Sequence, residues 1–297
     1  ELWTRLISYS YGVEQLPPVD FIVAILWLTR KVGKMGKQSR SLSLPKLLPN
    51  IFTTIGLCAG LTGIRFALEG QWENSVLLIL IAACFDMIDG LSARLLKAFS
   101  PFGAELDSLA DTISFGVAPA IITYLYIKEG GLDDPILAWY WMPCLLFSAC
   151  NAFRLARFNV MHLGEGEPQS SKSYFVGMPA PAAAGLVLMP IGFDNILVGF
   201  AEEGVQESMR FVINYPLWIT GWVIIVSVLM ISRLPTFSFR NVRFNVPRSR
   251  ALIVLLVVCL CVAVFMQEKW IFLFALGVLY FLSLPFAYWT NRKDSVS

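Results

Sequence analysis

The chain has 297 residues, of which 57% are hydrophobic and only 15% are charged, where an ordinary soluble domain carries about a quarter charged. With a mean hydropathy of +0.66, that balance excludes a soluble globular protein, a disordered chain and a nucleic-acid binder. The net charge of +2 says little, but the placement of the charges says more.

In chain order, residues 1–44 form a leader on the cytoplasmic side. Within it, VDFIVAILWL (19–28) is too short to span a bilayer. The basic run after it (KVGKMGKQSR) suits a segment lying on the membrane surface, and the alternative is a leader without structure. A crossing helix needs about 20 mostly apolar residues. Candidate spans follow at roughly 49–68, 74–96, 106–127, 136–157, 178–199, 212–232, 251–266 and 269–289. The fold expected is therefore all-α, a polytopic transmembrane helix bundle of about eight spans. The apolar runs are too long and continuous for a barrel, whose strands alternate. Gly56, Ala59, Gly60 and Gly63 in the first span permit close helix packing. No internal repeat is visible, which disfavours a repeat-built transporter.

The linkers set the orientation. With the leader cytoplasmic, one side collects most of the 23 basic residues, among them Arg30, Lys46, Arg94, Lys97, Arg154, Arg157, Lys172 and the arginines of 233–250. The other side has Lys128, Arg210 and Lys269, with acids such as Glu69, Glu73, Asp133, Glu202 and Glu268. This positive-inside bias puts both termini in the cytoplasm. Trp139, Tyr140, Trp141 and Trp289 read as interfacial belts. The six cysteines form no CxxC pair and all fall in apolar runs, so small reduced core residues are expected.

The informative stretch is FDMIDGLSARLLKAFSPFGAELDSLADTISFGVAPA, residues 85–120. Asp86 and Asp89 are i, i+3 near the end of the second span. Asp107 and Asp111 are i, i+4 near the start of the third. Each pair shares one helix face, and the short loop KAFSPF lets the two faces meet. A carboxylate inside a bilayer costs about 2.5–3.5 kcal/mol even on insertion scales. Arg94 is a single charge and does not balance four carboxylates. Hard divalent cations with oxygen ligands do, and two of them suit phosphoryl chemistry. Gly90, Ala93 and Gly103 remove side-chain bulk beside this cluster, so a nucleotide can approach the backbone.

The pattern Asp86-x2-Asp89-Gly90-x2-Ala93-Arg94-x8-Gly103-x3-Asp107-x3-Asp111 resembles the signature of the CDP-alcohol phosphotransferase family at every defining position. LPNIFTTIGLCAG (48–60) looks like the family's first helix. The resemblance covers roughly residues 45–200, the expected catalytic core, and leaves 201–297 as C-terminal transmembrane helices. It implies that Asn50, Thr53, Gly90, Ala93, Arg94 and Gly103 bind CDP. Asp86, Asp89, Asp107 and Asp111 would hold two divalent cations, Mg²⁺ or Mn²⁺, and Asp111 would also act as the base. It further implies a homodimer.

Within the family, LDSLADTISFGVAPA (106–120), NAFRLARFNV (151–160) and SYFVGMPAPAAA (173–184) look like the branch that uses serine. The expected reaction transfers a phosphatidyl group from CDP-diacylglycerol to L-serine and releases CMP, on the cytoplasmic side of a prokaryote's inner membrane among its membrane lipids. Arg154 and Arg157, with Asn151, are the expected acceptor site, since arginine forks suit a carboxylate. Their alternative role is anchoring to headgroups. Lys172 and His162 read as loop surface, and Glu105 as a charge favoured by a helix N-terminus. The loop 158–177 reads as a lid. Two other functions stay open: a sister synthase using inositol phosphate, glycerol phosphate or choline, and an ion- or proton-coupled transporter.

Overall fold

The computed structural model describes residues 44–130, 134–163, 174–200, 216–232, 235–237 and 248–294. The leader, Lys172 and most of the arginine run 233–250 lie outside the described residues, as do the side chains of His162 and Trp289. The described helices run through Leu48–Ser297 as one unit; Glu1–Leu47 form another, of which only the start of the first helix is described.

The helices are α1 (Leu44–Leu68), α2 (Trp72–Leu95), α3 (Pro101–Glu129), α4 (Asp134–Leu163), α5 (Ala180–Phe200), α6 (Pro216–Ile231), α7 (Arg248–Gln267) and α8 (Lys269–Asp294). The first five are long and apolar enough to cross a membrane; Pro216–Ile231 is a shorter apolar helix, and Lys269–Pro285 is an apolar stretch of α8. Their outward faces carry exposed Leu61, Leu145, Leu146, Leu217 and Leu279, which is the surface of a protein solvated by lipid. The chain is an integral membrane protein with an all-α bundle.

α5 runs through the centre of the bundle. Ala180, Ala183 and Ala184 are fully buried, and these small side chains let α3, α6 and α8 approach it closely. Glycines do the same for α1. A Cβ on Gly60 would lie 2.9 Å from the Ser114 Cβ of α3, and one on Gly63 would lie 3.1 Å from the Ser75 carbonyl of α2. Ser75 is buried there and donates to the Gly63 carbonyl at 2.8 Å.

Three local features shape the region around residues 85–120. First, α2 ends in a Schellman turn, with Ala98 N–H bonded to the Ala93 carbonyl and Lys97 in the left-handed region at φ 49°. Second, α3 begins at Pro101, earlier than apolarity alone predicts. Ser100 caps it by accepting the Gly103 N–H at 3.0 Å, and proline at the first position has no N–H to leave orphaned. Third, α3 widens into a π-helical turn at Thr112–Val117. Pro119 lacks the N–H that an α-ladder would offer to the Phe115 carbonyl. Ser148 of α4 donates to the Gly116 carbonyl at 3.0 Å, which satisfies a group the widened turn exposes.

α4 extends to Leu163, so residues 158–163 are helical rather than part of a loop. Farther along, Tyr174–Val176 (β1) pairs antiparallel with Pro235–Phe237 (β2), Phe175 opposite Thr236. Gly177 follows at φ 87°, where a Cβ would press on the Met230 and Ser232 carbonyls at 3.1 and 3.2 Å.

All six cysteines are free, but only Cys144 and Cys150 are buried; Cys58, Cys84, Cys259 and Cys261 are exposed. The expectation of six core cysteines is corrected: in lipid an apolar residue has no reason to face inward.

Candidate active site

The end of α2 and the beginning of α3 meet as the aspartate spacing predicts. One carboxylate oxygen from each of Asp86, Asp89 and Asp107 lies within 4.8 Å of the other two. Asp111, one turn beyond Asp107, faces Asp86 across the gap. Asp89 is buried, and Asp107 Oδ1 is buried without a hydrogen-bond partner among the described residues. Several hard oxygen ligands, one of them an orphaned buried acceptor, suit a hard divalent cation. The four carboxylates line a cavity with Thr53, Gly56, Ala110, Ser114 and Phe115. Its volume, ≈ 10 Å³, is about that of one water. It has room for a water or an ion and nothing larger.

α1 supports this cluster from the side. Thr53 Oγ1 donates to Asp89 Oδ2 at 2.7 Å, so it orients a carboxylate. Asn50 lies over the first turn of α3, where a Cβ on Gly103 would sit 2.8 Å from Asn50 Oδ1. The structure thus brings Asn50 and Gly103 together. Gly90 is different: a Cβ there would meet only the Arg94 guanidinium, at 3.8 Å. Packing does not require glycine at that position, and space is left beside Asp89. Arg94 is exposed and donates from Nε to the Gly90 carbonyl at 2.9 Å. Ala93 is half-buried one turn beyond Asp89. Glu105 is exposed on the first turns of α3.

α4 approaches from the other side, and it separates the two arginines. Arg154 is within electrostatic range of Asp111 and Asp86, and its Nε is buried with no hydrogen-bond partner among the described residues. Arg157 instead donates to the Ile231 carbonyl at 3.3 Å, at the end of α6. Asn151, one turn before Arg154 on the same face, is fully buried, and both amide atoms lack a partner among the described residues. It rests on the π-turn, where a Cβ on Gly116 would come 2.5 Å from Asn151 Nδ2. Asn159 Nδ2 donates to Ser108 Oγ at 2.9 Å, tying α4 to α3 next to Asp107.

Sequence reasoning passed over two groups here. Ser114 is buried in the cavity wall, its hydroxyl without a partner among the described residues. Its place three residues after Asp111, on the aspartate stripe, was a legible signal. Tyr280 on α8 lies within electrostatic range of Arg154, and its hydroxyl is buried without a partner among the described residues. No local pattern marks it. A further carboxylate, Asp194 on α5, was also passed over; it is buried and accepts the Tyr126 hydroxyl at 2.8 Å.

Comparison with known proteins gives a consistent result. The sequence model described as CDP-alcohol phosphatidyltransferase matches residues 46–229. The CDP-diacylglycerol–serine O-phosphatidyltransferase of Mycobacterium tuberculosis (strain ATCC 25618 / H37Rv) is 35% identical over 247 residues, covering 83% of this chain and 80% of that protein. The protein of the same name from Helicobacter pylori (strain J99 / ATCC 700824) is 34% identical over 201 residues, covering 67% and 75%. That from Saccharomyces cerevisiae is 38% identical over 157 residues, covering 48% and 54%.

Proposed function

Because the chain belongs to the CDP-alcohol phosphatidyltransferase family, we propose that it transfers the phosphatidyl group of CDP-diacylglycerol to L-serine, giving phosphatidylserine and CMP. The observation that carries this reading is the nearness of Arg154 to Asp111 beside the carboxylate cluster. It supports a pairing of a carboxylate-binding group with a base, and serine needs both.

The donor reaches the site laterally. Met87, Ile88, Leu91 and Leu95, interleaved with the aspartates of α2, are exposed apolar residues, a surface for acyl chains. The cytidine diphosphate then lies at the mouth of the cavity, over Gly90 and near Asn50. Asp86, Asp89, Asp107 and Asp111 would hold divalent cations, which when bound offset the diphosphate charge and the charge growing on the departing CMP. Arg154 takes the serine carboxylate through its guanidinium fork. Asp111 accepts the hydroxyl proton as the serine oxygen attacks the phosphorus bonded to the diacylglycerol oxygen. The bond from that phosphorus to the CMP oxygen breaks, and no covalent enzyme intermediate is needed. The basic bias of the loops supports a site on the cytoplasmic side of a prokaryotic inner membrane.

An acceptor panel tests the assignment. The purified chain is given CDP-diacylglycerol with L-serine, inositol phosphate, glycerol phosphate or choline, and CMP release is followed. Serine with Mg²⁺ or Mn²⁺ should support turnover, and excess chelator should abolish it. Turnover with another alcohol but not serine would reassign the acceptor. Full turnover in chelator would remove the metal from the reading.

A further inference from the structure

The family match ends at residue 229, whereas α8 begins at Lys269. Yet α8 delivers a polar group to the acceptor side of the site. Tyr280 lies within electrostatic range of Arg154, and its hydroxyl is buried without a partner among the described residues. Arg154 Nε is in the same condition. The buried Nε–H and the buried hydroxyl make no bond to each other, so both can donate to a third group. Together they form a site for an acceptor with several lone pairs, such as a carboxylate.

The depth of Tyr280 agrees. Lys269 at the start of α8 pairs with Glu73 at the start of α2, so both helices leave the same face of the bundle. At about 1.5 Å per residue, Asp86 lies about 20 Å along α2 and Tyr280 about 17 Å along α8. The hydroxyl therefore reaches the carboxylate layer. The ring alone does not explain the residue. It packs against the apolar core, and a phenylalanine, as at the next position, would do that without a buried hydroxyl.

We propose that the Tyr280 hydroxyl is a specificity-determining group, donating a hydrogen bond to the carboxylate of the acceptor amino acid bound at Arg154. This rests on the reading of the protein as a serine-using transferase. It places part of the acceptor site on a helix outside the matched region, where a family with a common donor and different alcohols has freedom to vary.

The test is Tyr280→Phe in the full chain, compared with wild type for CMP release from CDP-diacylglycerol and L-serine with Mg²⁺, together with thermal unfolding. Expected are a serine KM raised about five- to fifty-fold, a CDP-diacylglycerol KM within about twofold of wild type, and an unfolding temperature unchanged or higher, since an unpaired buried hydroxyl has been removed. An unchanged serine KM overturns the proposal. So does a lowered kcat with constant serine KM, or a variant that unfolds earlier or is not recovered folded, because each makes the hydroxyl structural. A wild-type chain that releases no CMP with serine overturns the functional reading itself, and the proposal falls with it for that separate reason.

Discussion

Thr53 and Asp89 are 36 residues apart, on different membrane helices, and joined by a 2.7 Å hydrogen bond. The hydroxyl fixes one carboxylate oxygen and leaves the other free to turn towards Asp86 and Asp107. A threonine hydroxyl and a buried aspartate thus convert the packing of α1 on α2 into carboxylate geometry.

Thr53→Val keeps the shape and removes that donor. A group holding a metal ligand from behind is worth roughly 10–100-fold in metal affinity. The Mg²⁺ or Mn²⁺ concentration for half-maximal turnover should rise within that range, with kcat at saturating metal less affected. An unchanged metal dependence would mean that Asp89 needs no orientation.

Asp111→Asn retains one oxygen and loses the ability to take a proton at neutral pH. CDP-diacylglycerol binding in the presence of metal should largely survive, while CMP release at saturating serine falls roughly 10²–10⁴-fold. Loss of donor binding together with turnover would assign Asp111 to holding metal alone.

The two arginines should behave differently. Arg154→Ala is expected to raise the serine KM about ten- to 150-fold, because losing a hydrogen bond to a charged group costs about 1.5–3 kcal/mol. Arg157→Ala should leave serine KM within about twofold and reduce stability by about 0.5–1.5 kcal/mol, the worth of its bond to the Ile231 carbonyl. Steady-state kinetics and thermal unfolding on both variants decide it; equal serine effects would contradict the separation seen on α4.

Two glycines give opposite expectations. Gly90→Ala meets no obstacle within the protein and gains about 1 kcal/mol of helix propensity. It should unfold later and bind CDP-diacylglycerol several-fold more weakly. Gly116→Ala drives a methyl into Asn151, an overpacking worth about 1–3 kcal/mol, and should unfold earlier. A Gly90→Ala variant with wild-type donor KM would show that no substrate lies over that position.

The bundle and the aspartates were legible because both rest on periodicity. Long apolar runs mark helices, and spacings of three and four put Asp86 with Asp89 and Asp107 with Asp111 on single faces. The loop between them is too short to let those faces point apart. The different surroundings of Arg154 and Arg157 were not legible. They lie one turn apart on the same helix, and only the position of the α6 terminus, more than 70 residues away, separates them. The resemblance pointed to Thr53 as a group near CDP; its bond to Asp89 depends on which helix faces α1, and sequence does not show that. Tyr280 and the Tyr126–Asp194 pair depend on which helices become neighbours, and uniform apolarity carries no information about that.

The π-turn at Thr112–Val117 divides α3 into two lengths of helix whose angular phase is set by a single residue. On the near side it aims Asp107 and Asp111 at the carboxylate cluster; on the far side it aims Tyr126 at Asp194. Excising one residue within the turn would restore an ordinary α-helix and rotate one length against the other by about 100°. The chain could then satisfy the catalytic end or the distal end, but not both. α3 is in this sense a keyed shaft, and single-residue insertions or deletions at 112–117 should be far less tolerated than substitutions at the same positions.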